Sequence, residues 1–374
     1  MTPSLPSRSR RFAPLARACA LAAALCGVMA CGVPQDHWQF HRDLLDADRL
    51  ADDGAFLEAR GAYEQLAPRS HREDLTRYIR LRAALMLERE GRYHEALEEY
   101  AAIYTRPASL VDSEAARAMR RAAIVYRDGF GDTLAWREIN EAVVRTFPNT
   151  IPVDDAVVDL ARYWTERGEP RAFVRWVVEV YPGLAYSSVA DNLVYRAARV
   201  LHEDADDPAA AIALYEVIRL RFHRSGFWDD AIWQTAVAYR ELATRDPGFR
   251  DDLGQSYRDH EYHTLLRFID GREVSWVMGD YDSVHYSPTL FRLAEMHEEA
   301  GELELAIAMW RRFQQTYPLS LRVDDVQFHI MELQAERGDV SGMRRSLRWL
   351  EREYPLSRFI ARGEALIAER TGAP

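Results

Sequence analysis

The densest group of chemically capable side chains in this chain is Asp259-His260-Glu261-Tyr262-His263. On a helix, residues three apart share a face, so His260 and His263 could offer two imidazoles to one metal ion. The spacing is one residue shorter than that of the zinc-protease HExxH, and no second cluster at ligand spacing accompanies it. Twin carboxylates recur as Asp154-Asp155, Asp229-Asp230 and Asp324-Asp325. Such pairs suit calcium or acid–base work, but each stands at the start of a regular unit, where acids cap a helix and complement its dipole. There is no GxSxG nucleophile turn and no GxGxxG after a strand. All 48 basic residues are Arg, which rules out a phosphate-cradling lysine. The three cysteines are Cys19, Cys26 and Cys31, so nothing beyond them supplies a thiol or a disulfide. The expectation is a protein that is not an enzyme and holds no metal or cofactor.

The elements that place these residues are set by a ladder of small side chains. Ala47, Ala84, Ala122, Ala161, Ala198, Ala236 and Ala294, then Met331, follow one another at gaps of 37, 38, 39, 37, 38, 58 and 37 residues. A fixed period of this size marks stacked helix pairs, each burying its apolar face only against its neighbours. The unit around Gly91 is the clearest. Leu81, Ala84, Leu85 and Leu87 fall at helical spacing, Gly91 breaks the helix, and Tyr93, Ala96, Tyr100 and Ile103 begin the next one before Pro107. The same order returns as Gly54-Phe56-Ala59-Tyr63, as Gly168-Ala172-Trp176 with Pro182, and as Gly301-Leu303-Ala306-Trp310 with Pro318. A degenerate copy is Gly338-Val340-Met343-Leu347 with Pro355. A small residue lets two helices cross closely, and the aromatic four residues after the second Ala fills the space beside the crossing.

This order of small residue, Gly, aromatic, Ala, aromatic and Pro resembles the tetratricopeptide repeat. With the endings Phe147-Pro148, Tyr181-Pro182, Tyr317-Pro318 and Tyr354-Pro355, it is also similar to BamD/YfiO-like outer-membrane lipoproteins and to the periplasmic coordinator of the Tol–Pal system. The period of 37–38 exceeds the usual 34 of the tetratricopeptide repeat. The resemblance implies an all-α, right-handed superhelical solenoid of about eight helix pairs. Residues 41–245 would hold the N-terminal repeats, and 288–374 the C-terminal repeats with a capping helix carrying Phe359, Ile360, Leu366 and Ile367. Between them, 246–287 would hold one repeat helix, roughly Leu253 to Phe268, and an insertion from Asp270. Gly271, Gly279, Asp280 and Asp282 favour a loop or short hairpin there, Val274, Trp276 and Val277 lend strand character, and Trp276 and Tyr281 are the candidate contacts.

Residues 1–30 carry Arg8, Arg10, Arg11 and Arg17 ahead of the apolar run Ala18 to Val28, the pattern of an export signal. Val28-Met29-Ala30-Cys31-Gly32 resembles a lipobox, which implies lipidation at Cys31, a tether over 31–40, and an outer-membrane, periplasm-facing location. A plain signal-peptidase cut is the alternative. Loss of residues 1–30 removes four Arg and no acid, taking the formal charge from −11 to −15. That balance disfavours nucleic acid and limits membrane contact to the anchor. A hydrophobic fraction of 48% excludes a disordered chain.

Three residues before each ladder position stand Leu44, Leu81, Met119, Val158, Tyr195, Trp233, Phe291 and Phe328, a stripe that turns aromatic toward the C-terminus. One residue after it come Arg162 and Arg199, then Glu295 and Glu332. In the resembled family this face tends to be concave. The expected site is therefore a groove with Tyr195, Trp233, Phe291 and Phe328 as anchors and Arg162 and Arg199 beside them, gripping a protein or peptide partner. A helix-face pattern alone does not separate a groove from a core. The leading function is a non-catalytic scaffold of the bacterial envelope. The alternatives are a coordinator of cell-wall or division machinery, and a glycan-binding module using the insertion.

Overall fold

The computed structural model describes residues 35–274 and 283–372. Among these are seventeen α-helices and no strand. The helices are α1 (Gln35–Asp52), α2 (Phe56–Leu66), α3 (Glu73–Arg89), α4 (Tyr93–Tyr104), α5 (Ser113–Phe130), α6 (Thr133–Thr146), α7 (Pro152–Glu166) and α8 (Pro170–Leu184). They continue as α9 (Ala190–Arg199), α10 (Pro208–Arg221), α11 (Trp228–Arg245), α12 (Tyr257–Val274), α13 (Tyr286–Glu299), α14 (Leu303–Thr316), α15 (Val323–Glu336), α16 (Val340–Glu353) and the cap α17 (Phe359–Thr371). Odd and even helices form eight hairpins, so the all-α repeat expectation holds. The chain divides into two compact units, Met1–Ile139 and Asn140–Pro374, with the boundary inside α6.

All eight ladder residues lie on the first helix of a hairpin and are at most 5% exposed. In the first unit, Leu81, Ala84 and Leu87 of α3 share a core with Ala96, Tyr100 and Ile103 of α4 and with Ala118, Ala122 and Val125 of α5. Within each unit a hairpin is thus sealed by the first helix of the next, and each large side chain so buried contributes roughly 1.5–3 kcal/mol. Gly91 takes φ +75°, and Arg92 N–H reaches back to the Leu87 carbonyl at 2.9 Å, closing α3 with a left-handed residue. In the fifth hairpin Asp206 occupies the corresponding left-handed position at φ +51°, after a π-turn over Val200–Asp204.

The exception at the end of the ladder has a steric answer. Met331 fits a place held elsewhere by Ala because Gly363 of α17 faces it. A Cβ added at Gly363 would stand 2.8 Å from the Met331 methyl and 3.2 Å from a Leu347 methyl. The small partner has moved to the opposite helix.

The twin acids sit in the first turns of α7, α11 and α15, behind the capping positions Ile151, Phe227 and Arg322, which make no side-chain cap. The first acid of each pair links to the following hairpin. Asp154 accepts from Asn192 Nδ2 at 3.0 Å, Asp229 from Ser283 Oγ at 2.5 Å, and Asp324 from Ser357 Oγ at 2.8 Å. They are staples between repeats as well as complements to the helix dipole.

Two local expectations are revised. α1 begins at Gln35, inside the stretch read as a tether. α12 starts at Tyr257, after a connection at 246–256, and continues to Val274, so 270–274 are helical where a loop or strand was expected. Gly271 weakens that helix by about 1 kcal/mol, but full burial of Leu265 and Ile269 just before it more than offsets the loss. Cys31, Trp276 and Tyr281 lie outside the described residues.

The exchange of sizes at the last crossing predicts that Gly363→Leu overpacks it and lowers stability by roughly 1–3 kcal/mol. Adding Met331→Ala should recover most of that loss in urea unfolding. Simple additivity of the two changes would show that these residues do not share one space.

Candidate functional site

The aromatic stripe is real, but each of its anchors is already in contact with the next hairpin. Tyr195 of α9 stacks on Phe227 at 4.5 Å, at the entry to α11. Trp233 of α11 stacks on His285 at 5.4 Å, at the entry to α13. Phe291 of α13 carries the Arg322 guanidinium 4.1 Å above its ring, at the entry to α15. Phe328 of α15 stacks on Phe359 of the cap at 5.3 Å. Tyr195 and Phe328 are buried, and Trp233 and Phe291 half-buried. The stripe works as repeat-to-repeat stacking, and its ring faces are covered. Of the basic pair, Arg199 is tied to Glu203 at 2.7 Å, and Arg162 is exposed with Asp159 4.0 Å away.

A second set of polar residues escaped the sequence reading. Tyr100 donates its hydroxyl to Glu88 at 2.8 Å, and Arg121 of the following hairpin binds the same carboxylate. Tyr63 donates to Asp48 at 2.6 Å, and Arg82 reaches it at 3.0 Å. In the second unit, Trp310 Nε1 donates to Glu298 at 2.6 Å, and His329 contacts Glu298 at 2.9 Å. Each rung joins an acid of a first helix, the aromatic of the second helix, and a cation of the next hairpin. The acids stand one or four residues after the ladder position, a register the sequence displayed. In the fourth and fifth hairpins Thr165 and His202 occupy the place of Glu88 and Glu298. There Trp176 Nε1 and Tyr215 Oη are buried with no hydrogen-bond partner among the described residues. Burial pushes the Tyr100 and Tyr215 hydroxyls well above their ordinary pKa, with the Glu88 charge adding to the effect at Tyr100.

Open volume gathers on the two sides of α12, where the repeat period lengthens. On one side a cavity of about 880 Å³ is lined by Tyr239, His260, His263, Arg219, Arg267 and Asp270 among others. His260 and His263 do share a face, as their spacing requires. His260 stacks on Tyr239 at 5.1 Å and contacts Asp251 at 3.1 Å, whereas Glu261 turns to the other side of the helix. No group of three or more His, Cys, Asp or Glu among the described residues is arranged to hold a metal ion. The second cavity, about 440 Å³, is lined by Arg240, Arg250, Arg258 and Arg292 with Asp246, Glu261 and Glu299 among others. Glu261, 1% exposed, accepts from Arg240 Nε and from Arg292 Nε, each at 2.7 Å. Arg258 pairs with Glu299. Arg250 is exposed and makes hydrogen bonds to the Pro247 and Phe249 carbonyls, and its charge adds to the hydrogen bonds from Ser256 that lower the pKa of Asp259. Four guanidinium groups line this cavity with three carboxylates, and guanidinium groups suit carboxylate or phosphate oxygens.

Two substitutions separate satisfied from unsatisfied rungs. Tyr100→Phe should cost roughly 1.5–3 kcal/mol, the range for a hydrogen bond to a charged group, whereas Tyr215→Phe should cost nothing, since its hydroxyl has no partner to lose. Equal losses in chemical denaturation would reject the distinction. At His329, burial lowers the pKa, but contacts with Glu298 and Glu332 outweigh it and hold the imidazole above its ordinary 6.5. The contribution of His329 to stability is therefore complete below pH 6.5 and fades as pH rises through its raised folded value. His329→Gln should flatten the stability profile above pH 6.5. An unchanged profile would show that the imidazolium contributes nothing there.

Residues 289–320, spanning most of α13 and all of α14, match the tetratricopeptide repeat model. No curated protein matches the chain. Among solved structures, the C-terminal part of a repeat-containing protein from Cytophaga hutchinsonii is 14% identical, covering 76% of this chain and 98% of that one, with a TM-score of 0.40. A tetratricopeptide repeat protein from Parabacteroides merdae is 10% identical over 89% of this chain and 98% of its own, with a TM-score of 0.27. Human IFIT1, a dimer solved with PPP-AAAA, is 13% identical over 87% and 78%, with a TM-score of 0.33. None of these scores reaches 0.5, and none bears on function. What the sequence match identifies is one tetratricopeptide repeat, at the seventh hairpin.

Proposed function

We propose that this chain is a non-catalytic scaffold of the bacterial cell envelope that holds a protein partner at the widened junction around α12. The observation that carries this reading is the cavity of about 440 Å³ bearing four arginines, at the one place where the repeat rhythm breaks. The junction keeps open volume and an exposed guanidinium, Arg250, in no close ion pair among the described residues. An acidic segment of a partner would meet Arg250 and the outer edges of Arg240 and Arg258 there. The envelope setting rests on the lipobox-like sequence ending at Cys31 and on the basic and apolar run ahead of it.

A photo-crosslinking side chain at Thr244, on the rim of this cavity, tests the reading in intact cells. The expected result is one discrete protein adduct that Arg250→Glu reduces at least tenfold while the helical content of the protein is unchanged. An absence of any adduct at Thr244, with strong labelling from a probe at Arg162 instead, would remove the junction as the binding site.

A further inference from the structure

Every hairpin sends its two kinds of connection to opposite ends of the helices, and within Asn140–Pro374 those ends differ in chemistry. The connections that lead from one hairpin to the next lie against each other. Ser188 N–H donates to Asn149 Oδ1 at 2.8 Å, and the Tyr354 hydroxyl donates to the Pro318 carbonyl at 3.2 Å. They form one edge. Its tips are apolar and stand fully out: Ile151 is 77% exposed, Tyr186 103%, Val284 79%, Leu319 95%, Leu321 98% and Leu356 99%.

Among the described residues the turns of this edge, 147–151, 185–189, 222–227, 283–285, 317–322 and 354–358, contain no Asp or Glu. Asp280 and Asp282 fall outside the described residues. The same turns hold Arg224, Arg322 and Arg358, all exposed and none with a carboxylate partner among the described residues. Arg322 and Arg358 lie over the Phe291 and Phe359 rings, which leaves their N–H edges free. The turns inside hairpins, 167–169, 205–207, 246–256, 300–302 and 337–339, carry eight carboxylates and three arginines. The twin aspartates sit one helical turn behind the apolar tips, where Asp154, Asp229 and Asp324 are engaged by the next hairpin and all face helix N-termini. Within Met1–Ile139 the same contrast recurs. Leu110 and Arg106 mark one kind of turn, where Asp112 is buried as an N-cap, and Asp53, Glu90 and Asp132 mark the other.

We infer that the edge carrying Tyr186, Leu319, Leu321 and Leu356 rests against an anionic lipid surface. Its apolar tips enter the boundary between headgroups and acyl chains, and Arg224, Arg322 and Arg358 meet lipid phosphates. Tips that stand proud at nearly full exposure match a fluid that closes around them, whereas a protein partner would need a socket for each. The acidic turns do not oppose this contact, and the nearest carboxylates are the twin aspartates one helical turn behind the tips, of which Asp155 and Asp325 are exposed. The helices are 14–18 residues long in α11 to α16, so the acidic turns stand roughly 20–27 Å from the tips. The Debye length at physiological ionic strength is about 8 Å. No described helix is long and apolar enough to cross a membrane, so this contact is peripheral. It depends neither on the scaffold reading nor on lipidation of Cys31.

Flotation of the full chain with phosphatidylcholine vesicles, with and without phosphatidylglycerol, tests the inference. The parent should float with the anionic vesicles. The triple change Leu319→Ser, Leu321→Ser and Leu356→Ser should weaken partitioning about tenfold or more, since several CH₂ groups per tip leave the membrane. Arg322→Gln with Arg358→Gln should erase the preference for anionic lipid, and Leu253→Ser on the opposite edge should change nothing. The side chains replaced in the triple variant are exposed, so its circular dichroism should equal that of the parent. If that folded variant floats as the parent does, the inference is overturned. If it also loses the adduct at Thr244, the edge is a protein interface instead. Loss of flotation with the adduct retained supports the lipid contact and leaves the scaffold reading intact.

Discussion

The constraint on which everything else depends is the close crossing of the two helices in each hairpin. A backbone-to-backbone approach of this kind admits one small side chain at the contact, and every other feature is arranged around it. The ladder alanines are buried because nothing larger fits. The aromatic four residues after the second Ala fills the space beside the crossing, and its polar end then needs a partner in a water-free place. Where an acid stands at the right register, a cation from the next hairpin completes the rung, and packing and electrostatics fix the same inter-repeat geometry. Met331, opposite Gly363 of the cap α17, shows the same exchange of sizes between a first helix and the helix that follows its hairpin.

Stacking of this kind also decides what is left for binding. The first helices α9, α11, α13 and α15 present an aromatic face that the following hairpin or cap covers with Phe227, His285, Arg322 or Phe359. A regular junction is thereby closed. The sixth junction departs from the rhythm because α11 and α12 are separated by eleven residues, 246–256, and α12 runs eighteen residues. Open cavities flank α12, and guanidinium groups border both of them. An irregularity costs packing, and here it leaves charged volume on both sides of one helix.

The two kinds of turn have separate compositions because they have separate tasks. Turns inside a hairpin are two or three residues in most repeats, closed by Gly in a left-handed conformation, and acids there stay in water. Turns between hairpins must stop one helix and aim the next, which Phe147-Pro148, Tyr317-Pro318 and Tyr354-Pro355 do, whereas Tyr181-Pro182, expected to be such an ending, lies inside α8. Their outward positions carry no packing demand, so the apolar tips that stand there are not explained by folding.

Much of this was legible in the chain alone. Period 37–38, the positions of Gly91, Gly168, Gly301 and Gly338, and the spacing of Ala and aromatic residues determined the helix class, the hairpin boundaries and the buried ladder. Those signals are local, since a helix of 3.6 residues per turn writes its buried face directly into the sequence. The extent of α12 was hidden because Gly271 and nearby Asp residues look like a loop until the burial of Leu265 and Ile269 is known. Tyr195, Trp233, Phe291 and Phe328 fall on one helix face by their spacing, yet whether that face is open or covered depends on residues 31 to 52 positions away. Only the tertiary structure decides this, because a pattern along one helix records which side is apolar and not what stands against it.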